Sequence, residues 1–215
     1  MIFAALLSLN VCLSGGTTEV FYDDTFVMNR FHVIYQDPPV FTDPDHTWTA
    51  ARLVGPYYGS VNERLLQTYL TVGPTNTTGT VVLRRNGWTI RGDEQSATDT
   101  ISLSADLLNG SDLVYSWLTI GLIQGSNLFV PDPLTGPVYL RHSSGVPWTV
   151  AWVSTGDIEF SDFYCFNNPG AVLDFGPGSK IIKLGLFHHV DTGASSSRAI
   201  IAQFDSVEFV VTTNP

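Results

Sequence analysis

Apolar and polar residues alternate along most of this chain in short runs, and glycine, proline or an Asn-Gly pair closes nearly every run. Strand side chains point to opposite faces with a period of two, so such runs predict β-strands that bury one face. The expected strands are Phe31–Tyr35, Trp48–Val54, Leu65–Val72, Thr80–Arg84, Trp88–Arg91, Thr100–Ser104 and Leu113–Ile123, then Val138–Arg141, Trp148–Val153, Ile158–Tyr164, Ala171–Phe175, Ile181–Phe187 and Ile200–Val211. Breakers such as Asp37-Pro38-Pro39, Gly55-Pro56, Gly73-Pro74 and Gly176-Pro177-Gly178 separate them. Asn86-Gly87 reads as a type I′ hairpin turn that folds Trp88–Arg91 back on Thr80–Arg84. A short helix is offered only by Val61–Tyr69, whose Leu65-Leu66 centre suits a strand equally well. Many short strands without long helices predict an all-β protein, a two-sheet antiparallel β-sandwich, with residues 17–215 as one domain.

Residues 1–16 carry two readings. The apolar run Met1–Leu13 followed by Ser14-Gly15-Gly16 has the form of a secretory signal, although no Lys or Arg precedes Arg30. It is too short to span a bilayer as a helix. Alternatively, Leu7, Leu9, Val11 and Leu13 form one face of an apolar assembly strand that pairs with an open sheet edge, in its own domain or in a neighbour's. Either reading fits an extracellular or cell-surface protein.

Composition sharpens the picture. The 215 residues are 44% apolar but only 14% charged, with a formal net charge of −10, and Lys180 and Lys183 are the only lysines. Phosphate binding requires clustered cations, so nucleic acid is not an expected partner. Acidic oxygens leave room for calcium, a hard cation. Of the two cysteines, Cys12 and Cys165, the second stands alone if the N-terminal segment is removed, as a buried thiol between Tyr164 and Phe166.

The opening Phe21-Tyr22-Asp23-Asp24-Thr25-Phe26 and the closing run Gln203–Val211 resemble the terminal strands of secreted concanavalin-like and jelly-roll domains. That resemblance implies that the first and last strands pair, and it covers folds that host lectins, hydrolases and structural modules alike. In such domains calcium is often held near the paired termini, which here makes Glu19, Asp23, Asp24 and Asp205 the candidate ligands. Asp43 and Asp45 form a second acidic pair. Turn-capping explains any of these equally simply.

Three further groups bear on chemistry. Asp157, Glu159 and Asp162 resemble the strand that carries paired carboxylates in concanavalin-like glycoside hydrolases, with the acidic types exchanged. Trp148, Val150 and Trp152 share one strand face; exposed, the two indoles make a sugar-stacking platform, and buried they are core. Tyr57 and Tyr58 lie in a Pro-Gly loop. Asn76 and Asn109 open N-glycosylation sequons in expected loops. The five histidines are scattered, and neither His-Glu-x-x-His nor a Gly-x-Ser-x-Gly elbow occurs.

The sequence therefore favours a non-enzymatic extracellular structural or adhesive sandwich, self-assembling as a surface or fibre subunit through its N-terminal strand. The alternative is a carbohydrate-binding module with a structural calcium, binding glycans through Trp148, Trp152, Tyr57 and Tyr58. A glycoside hydrolase on Asp157, Glu159 and Asp162 is a lesser alternative.

Overall fold

The computed structural model describes residues 16–23, 31–37, 47–54, 64–72, 78–108, 116–134, 139–140, 150–191 and 198–214. Their regular elements are strands and two 3-10 turns, Gly92–Glu94 and Phe160–Asp162. The strands are β1 (Thr18–Asp23), β2 (Phe31–Asp37), β3 (Thr47–Val54), β4 (Arg64–Val72), β5 (Thr78–Arg85), β6 (Thr89–Ile90) and β7 (Thr100–Leu108), followed by β8 (Ser116–Gln124), β9 (Asn127–Pro131), β10 (Val150–Ser154), β11 (Ile158–Glu159), β12 (Phe163–Cys165), β13 (Ile182–Asp191) and β14 (Arg198–Thr212). Among the described residues no helix is long and apolar enough to cross a membrane.

The strands form two seven-stranded antiparallel sheets, as the alternation predicts. Sheet A runs β10-β7-β14-β4-β3, and sheet B runs β12-β9-β8-β13-β5-β2. β14, fifteen residues long, takes two partners in succession along one edge: β4 pairs with Arg198–Phe204 and β1 with Val207–Thr212. Its pairing with β7 shifts register between Phe204 and Val207, a bulge placed where the partner on the opposite edge changes. β7 is shared in the same way, by β10 near its end and β11 at its start. The first and last described strands thus pair, as the terminal motifs imply.

Alternate residues of the central strands fill the space between the sheets. From sheet A come Ile101, Leu103, Ala105 and Leu107 with Phe204, Val207, Phe209 and Val211; from sheet B come Leu118, Ile120 and Leu122 with Ile182, Leu184 and Leu186. Trp88 packs edge-on to Phe209 with ring centroids 5.2 Å apart, tying the layers together. The β13 row ends in His188, which is fully buried opposite Leu118 and Val81. Burial, with a smaller contribution from neighbouring His189, lowers its pKa to about 3. Sheet B is apolar on its other face as well, where Val82, Ile123, Leu128, Val130 and Phe187 cluster. Burial on both faces explains why Val81-Val82-Leu83 and Leu122-Ile123 are continuous apolar runs rather than alternating ones.

Several sequence expectations are corrected. Residues 64–69 of the suggested helix Val61–Tyr69 belong to β4, because pairing with β3 and β14 uses their backbone groups. Asn86-Gly87 makes no hairpin: β5 and β6 both pair with β13, one after the other. Gly87, at φ 89°, lets the chain step out and rejoin the same partner, where the Leu184 N–H donates to the Trp88 carbonyl at 3.0 Å. The expected strand Ile158–Tyr164 is two strands in different sheets, β11 in A and β12 in B, with a 3-10 turn carrying the chain across. Ala171–Phe175 is not a strand. Its backbone is held by the buried Gln124, whose amide donates to the carbonyls of Asp174 (2.7 Å) and Lys180 (3.1 Å) and accepts from Asp174 N–H at 2.8 Å. Tyr139 and Leu140, the described part of Val138–Arg141, are also outside any strand. β9 was not expected at all.

Candidate functional site

The outer face of sheet A follows from register alone. With Phe21 and Asp23 buried, β1 turns Val20 and Tyr22 outward. Tyr22 pairs with Glu208, Glu208 with Ser104, and Ser104 with Ser154, so these four side chains form one row across β1, β14, β7 and β10. The adjacent row holds Ser206, Asp106 and Trp152; Trp152 pairs with Asp106, and the Ser206 hydroxyl donates to the Asp106 carboxylate at 3.0 Å. A third row holds Val20, Val210 and Ser102. The far end carries Thr18, Thr212, Thr100 and Glu159.

Two large rings flank this surface, with Tyr22 46% and Trp152 51% exposed. Three strand intervals and one row separate them, about 16 Å across the sheet. Between them the chemistry is hydroxyl and carboxylate. Ser104 donates to Ser154 Oγ at 3.0 Å, and Gly156 N–H donates to the same oxygen at 3.1 Å, leaving the Ser154 proton to point elsewhere. Glu208 is half-buried and has no hydrogen-bond or ion-pair partner among the described residues. Asp106 and Glu208 are diagonal neighbours on adjacent strands, a spacing of about 7–8 Å. No Lys or Arg occurs in β1, β7, β10, β11 or residues 204–212.

Of the residues singled out in the sequence, Trp152 stands on this face and Trp148 lies outside the described residues, as do Tyr57, Tyr58, Asn76, Asn109, Asp24, Asp43, Asp45 and Leu7, Leu9, Val11 and Leu13. Asp157 and Glu159 are exposed, and Glu159 accepts a hydrogen bond from Ser161 Oγ at 3.1 Å. Asp162 closes the 3-10 turn between the sheets instead of continuing their strand. Of the terminal acidic group, Glu19 and Asp23 are described with their side chains. Asp23 is buried and paired with Arg85 of sheet B, Oδ2 to Nε 2.7 Å, so a guanidinium already neutralises it. Glu19 is four residues away on the same strand, about 13 Å, and is exposed. Asp205 lies within the β14 bulge. Among the described residues no three His, Cys, Asp or Glu side chains are grouped to hold a metal ion. Cys165 is a buried free thiol.

Sequence reading missed Tyr22, Asp106 and Glu208, and also an aromatic group on the outer face of sheet B. There Trp117, 39% exposed, stacks on Tyr139 (5.9 Å) and tilts against His189 (4.9 Å). His189 stacks in turn on Phe187 and hydrogen-bonds Thr80 Oγ1 through Nδ1 at 2.7 Å. Phe166 packs edge-on to both rings. Nearby Tyr164 has its pKa raised, by burial first and by the Asp132 charge second, so its hydroxyl keeps its proton. The Trp117 ring is engaged by its neighbours, whereas Trp152 has no ring contact among the described residues.

No protein-family model matches the chain, and no curated protein matches it. Among solved structures it is similar to the family 11 carbohydrate-binding module from Clostridium thermocellum in complex with a beta-1,3-1,4-mixed-linked tetrasaccharide, with TM-score 0.44 and 12% identity over 94% of this chain and 98% of that one. It is also similar to the family 11 module of a cellulosomal cellulase of the same organism (TM-score 0.41, 10% identity, 94% and 96% covered). A protein of unknown function from Shewanella oneidensis MR-1 gives TM-score 0.37 and 8% identity over 94% and 88%. The strand pairing itself makes this chain an all-β, two-sheet antiparallel β-sandwich.

Proposed function

We propose that this chain is a non-catalytic extracellular glycan-binding module whose ligand lies on the outer face of sheet A, between Tyr22 and Trp152. The observation that carries the proposal is the pair of half-exposed rings bracketing a row of carboxylate and hydroxyl groups. A sugar ring offers an apolar C–H face and a rim of hydroxyls. The first stacks on an aromatic ring, and the second donates to carboxylates in charge-assisted hydrogen bonds. A sheet face with rings about 16 Å apart suits an extended oligosaccharide better than a single sugar.

Self-assembly through the N-terminal strand rests on Leu7, Leu9, Val11 and Leu13, outside the described residues, and nothing in the two sheets favours it. Screening the full chain against a panel of oligosaccharides tests the glycan reading. Trp152→Ala is expected to weaken binding about tenfold, the equivalent of roughly 1.4 kcal/mol of lost stacking. Tyr22→Ala should act similarly, and Trp117→Phe on sheet B should not. Binding that survives loss of both Tyr22 and Trp152 would remove the site, and a blank panel would remove the function.

A further inference from the structure

Resting on that reading, we propose that the glycan recognised on sheet A carries free amino groups, as in a glucosamine oligomer, and that acidic glycans are excluded. The face is charged in one sense only. Asp106 and Glu208 sit between the two rings, Glu159 lies at the far end, and the strands that build this part of the face contribute no Lys or Arg. The arginines of sheet A, Arg52, Arg64 and Arg198, belong to β3, β4 and the opening of β14 rather than to β7 and the stretch of β14 that carry Asp106 and Glu208. The part of sheet A around Asp106 and Glu208 is thus acidic, and an ammonium group is drawn to it.

The two central carboxylates are prepared for such a group in different ways. Asp106 is oriented by the Ser206 hydroxyl, which the β14 bulge brings alongside it, and that bond engages one carboxylate oxygen. Glu208 is half-buried beside Tyr22 and Ser104 with no hydrogen-bond or ion-pair partner among the described residues, so a bound ammonium would supply its counter-charge. A carboxylate or sulfate on the ligand would instead meet like charge from Asp106 and Glu208, and the Arg85 guanidinium beside β1 is already engaged by Asp23 and the Tyr22 carbonyl.

Calorimetric titration of the full chain with length-matched oligomers of glucosamine, N-acetylglucosamine, glucose and galacturonic acid tests this directly, with a lysine-rich peptide as a further arm. The expected result is glucosamine binding about tenfold tighter than its N-acetylated counterpart at low ionic strength, with the advantage shrinking as salt is raised. Galacturonic acid oligomers should not bind. Glu208→Gln, close to isosteric, should narrow the amine preference severalfold while its melting temperature confirms an intact fold. Equal affinity for glucosamine and glucose oligomers overturns the amine preference and leaves the glycan reading standing. Binding of the peptide alone, or of none of the oligomers, overturns both.

Discussion

Acidification should weaken this fold through one side chain, His188. The imidazole is fully buried in the β13 row, its cross-strand neighbours Leu118 and Val81 are apolar, and its pKa falls from 6.5 to about 3. Unfolding returns it to water and to its ordinary value, so the unfolded chain binds a proton that the folded chain refuses. The stabilisation is complete above the unfolded pKa and is lost progressively as pH drops below 6.5, until the folded group itself titrates near 3. At about pH 5 the loss relative to neutral pH is about 2 kcal/mol, one and a half pK units of differential protonation. Urea unfolding of the wild type and of His188→Leu, at about pH 7 and about pH 5, isolates this contribution because carboxylates common to both proteins cancel. The wild type should lose about 2 kcal/mol more than the variant across that interval. Equal losses would refute the assignment and show that His188 is solvated or charged in the folded protein.

Other consequences are structural. Arg85→Met leaves the Asp23 carboxylate buried without its guanidinium and should cost about 3 kcal/mol in urea unfolding, with Asp23→Asn relieving part of the loss in the double variant. Gln124→Leu removes the clamp on Asp174 and Lys180; a destabilisation of about 2 kcal/mol is expected, with faster amide exchange across residues 171–180. Gly92→Ala should loosen the same loop, since a Cβ there would sit 2.9 Å from the Lys180 carbonyl and 3.0 Å from that of Asp174. Cys165, 4% exposed, should react with a thiol reagent only after unfolding.

The sheets were legible because alternation survives wherever a strand buries one face, as in Thr100–Ser104 and, after the bulge, Val207–Val211. It failed where the backbone broke step. In Ile158–Tyr164 the buried aromatics Phe160 and Phe163 are three residues apart, an odd interval that a single strand cannot bury on one face; this was the available sign of the 3-10 turn. β9 is hard to see in the sequence because it is short and ends in Pro131, a residue that usually breaks strands, although a proline at the last strand position forfeits little of the ladder. Asn86-Gly87 carries a real turn signal, but local chemistry does not say whether the chain returns to its own strand or rejoins a distant one, and pairing with β13 decided that.

The candidate face was only half legible. Trp152 was visible as a member of a Trp-rich strand. Tyr22 was not, since Phe21 and Tyr22 are adjacent and either ring could have been the core residue; packing of Phe21 between the sheets made the choice. Asp106 fell beyond the point where the expected strand ended, and its closeness to Glu208 and Ser206 exists only through the β14 register and bulge. Of the acidic groups legible as motifs, Asp157–Asp162 lies at a sheet crossing and Asp23 in an ion pair to Arg85.

The location of the ligand is tested most directly by the indole N–H resonances of the five tryptophans during titration with a bound oligosaccharide. The Trp152 signal should move progressively to saturation while those of Trp88, in the core, and Trp117, on sheet B, stay in place. A shift confined to Trp117, with Trp152 unmoved, would place the ligand on the wrong sheet and contradict the account.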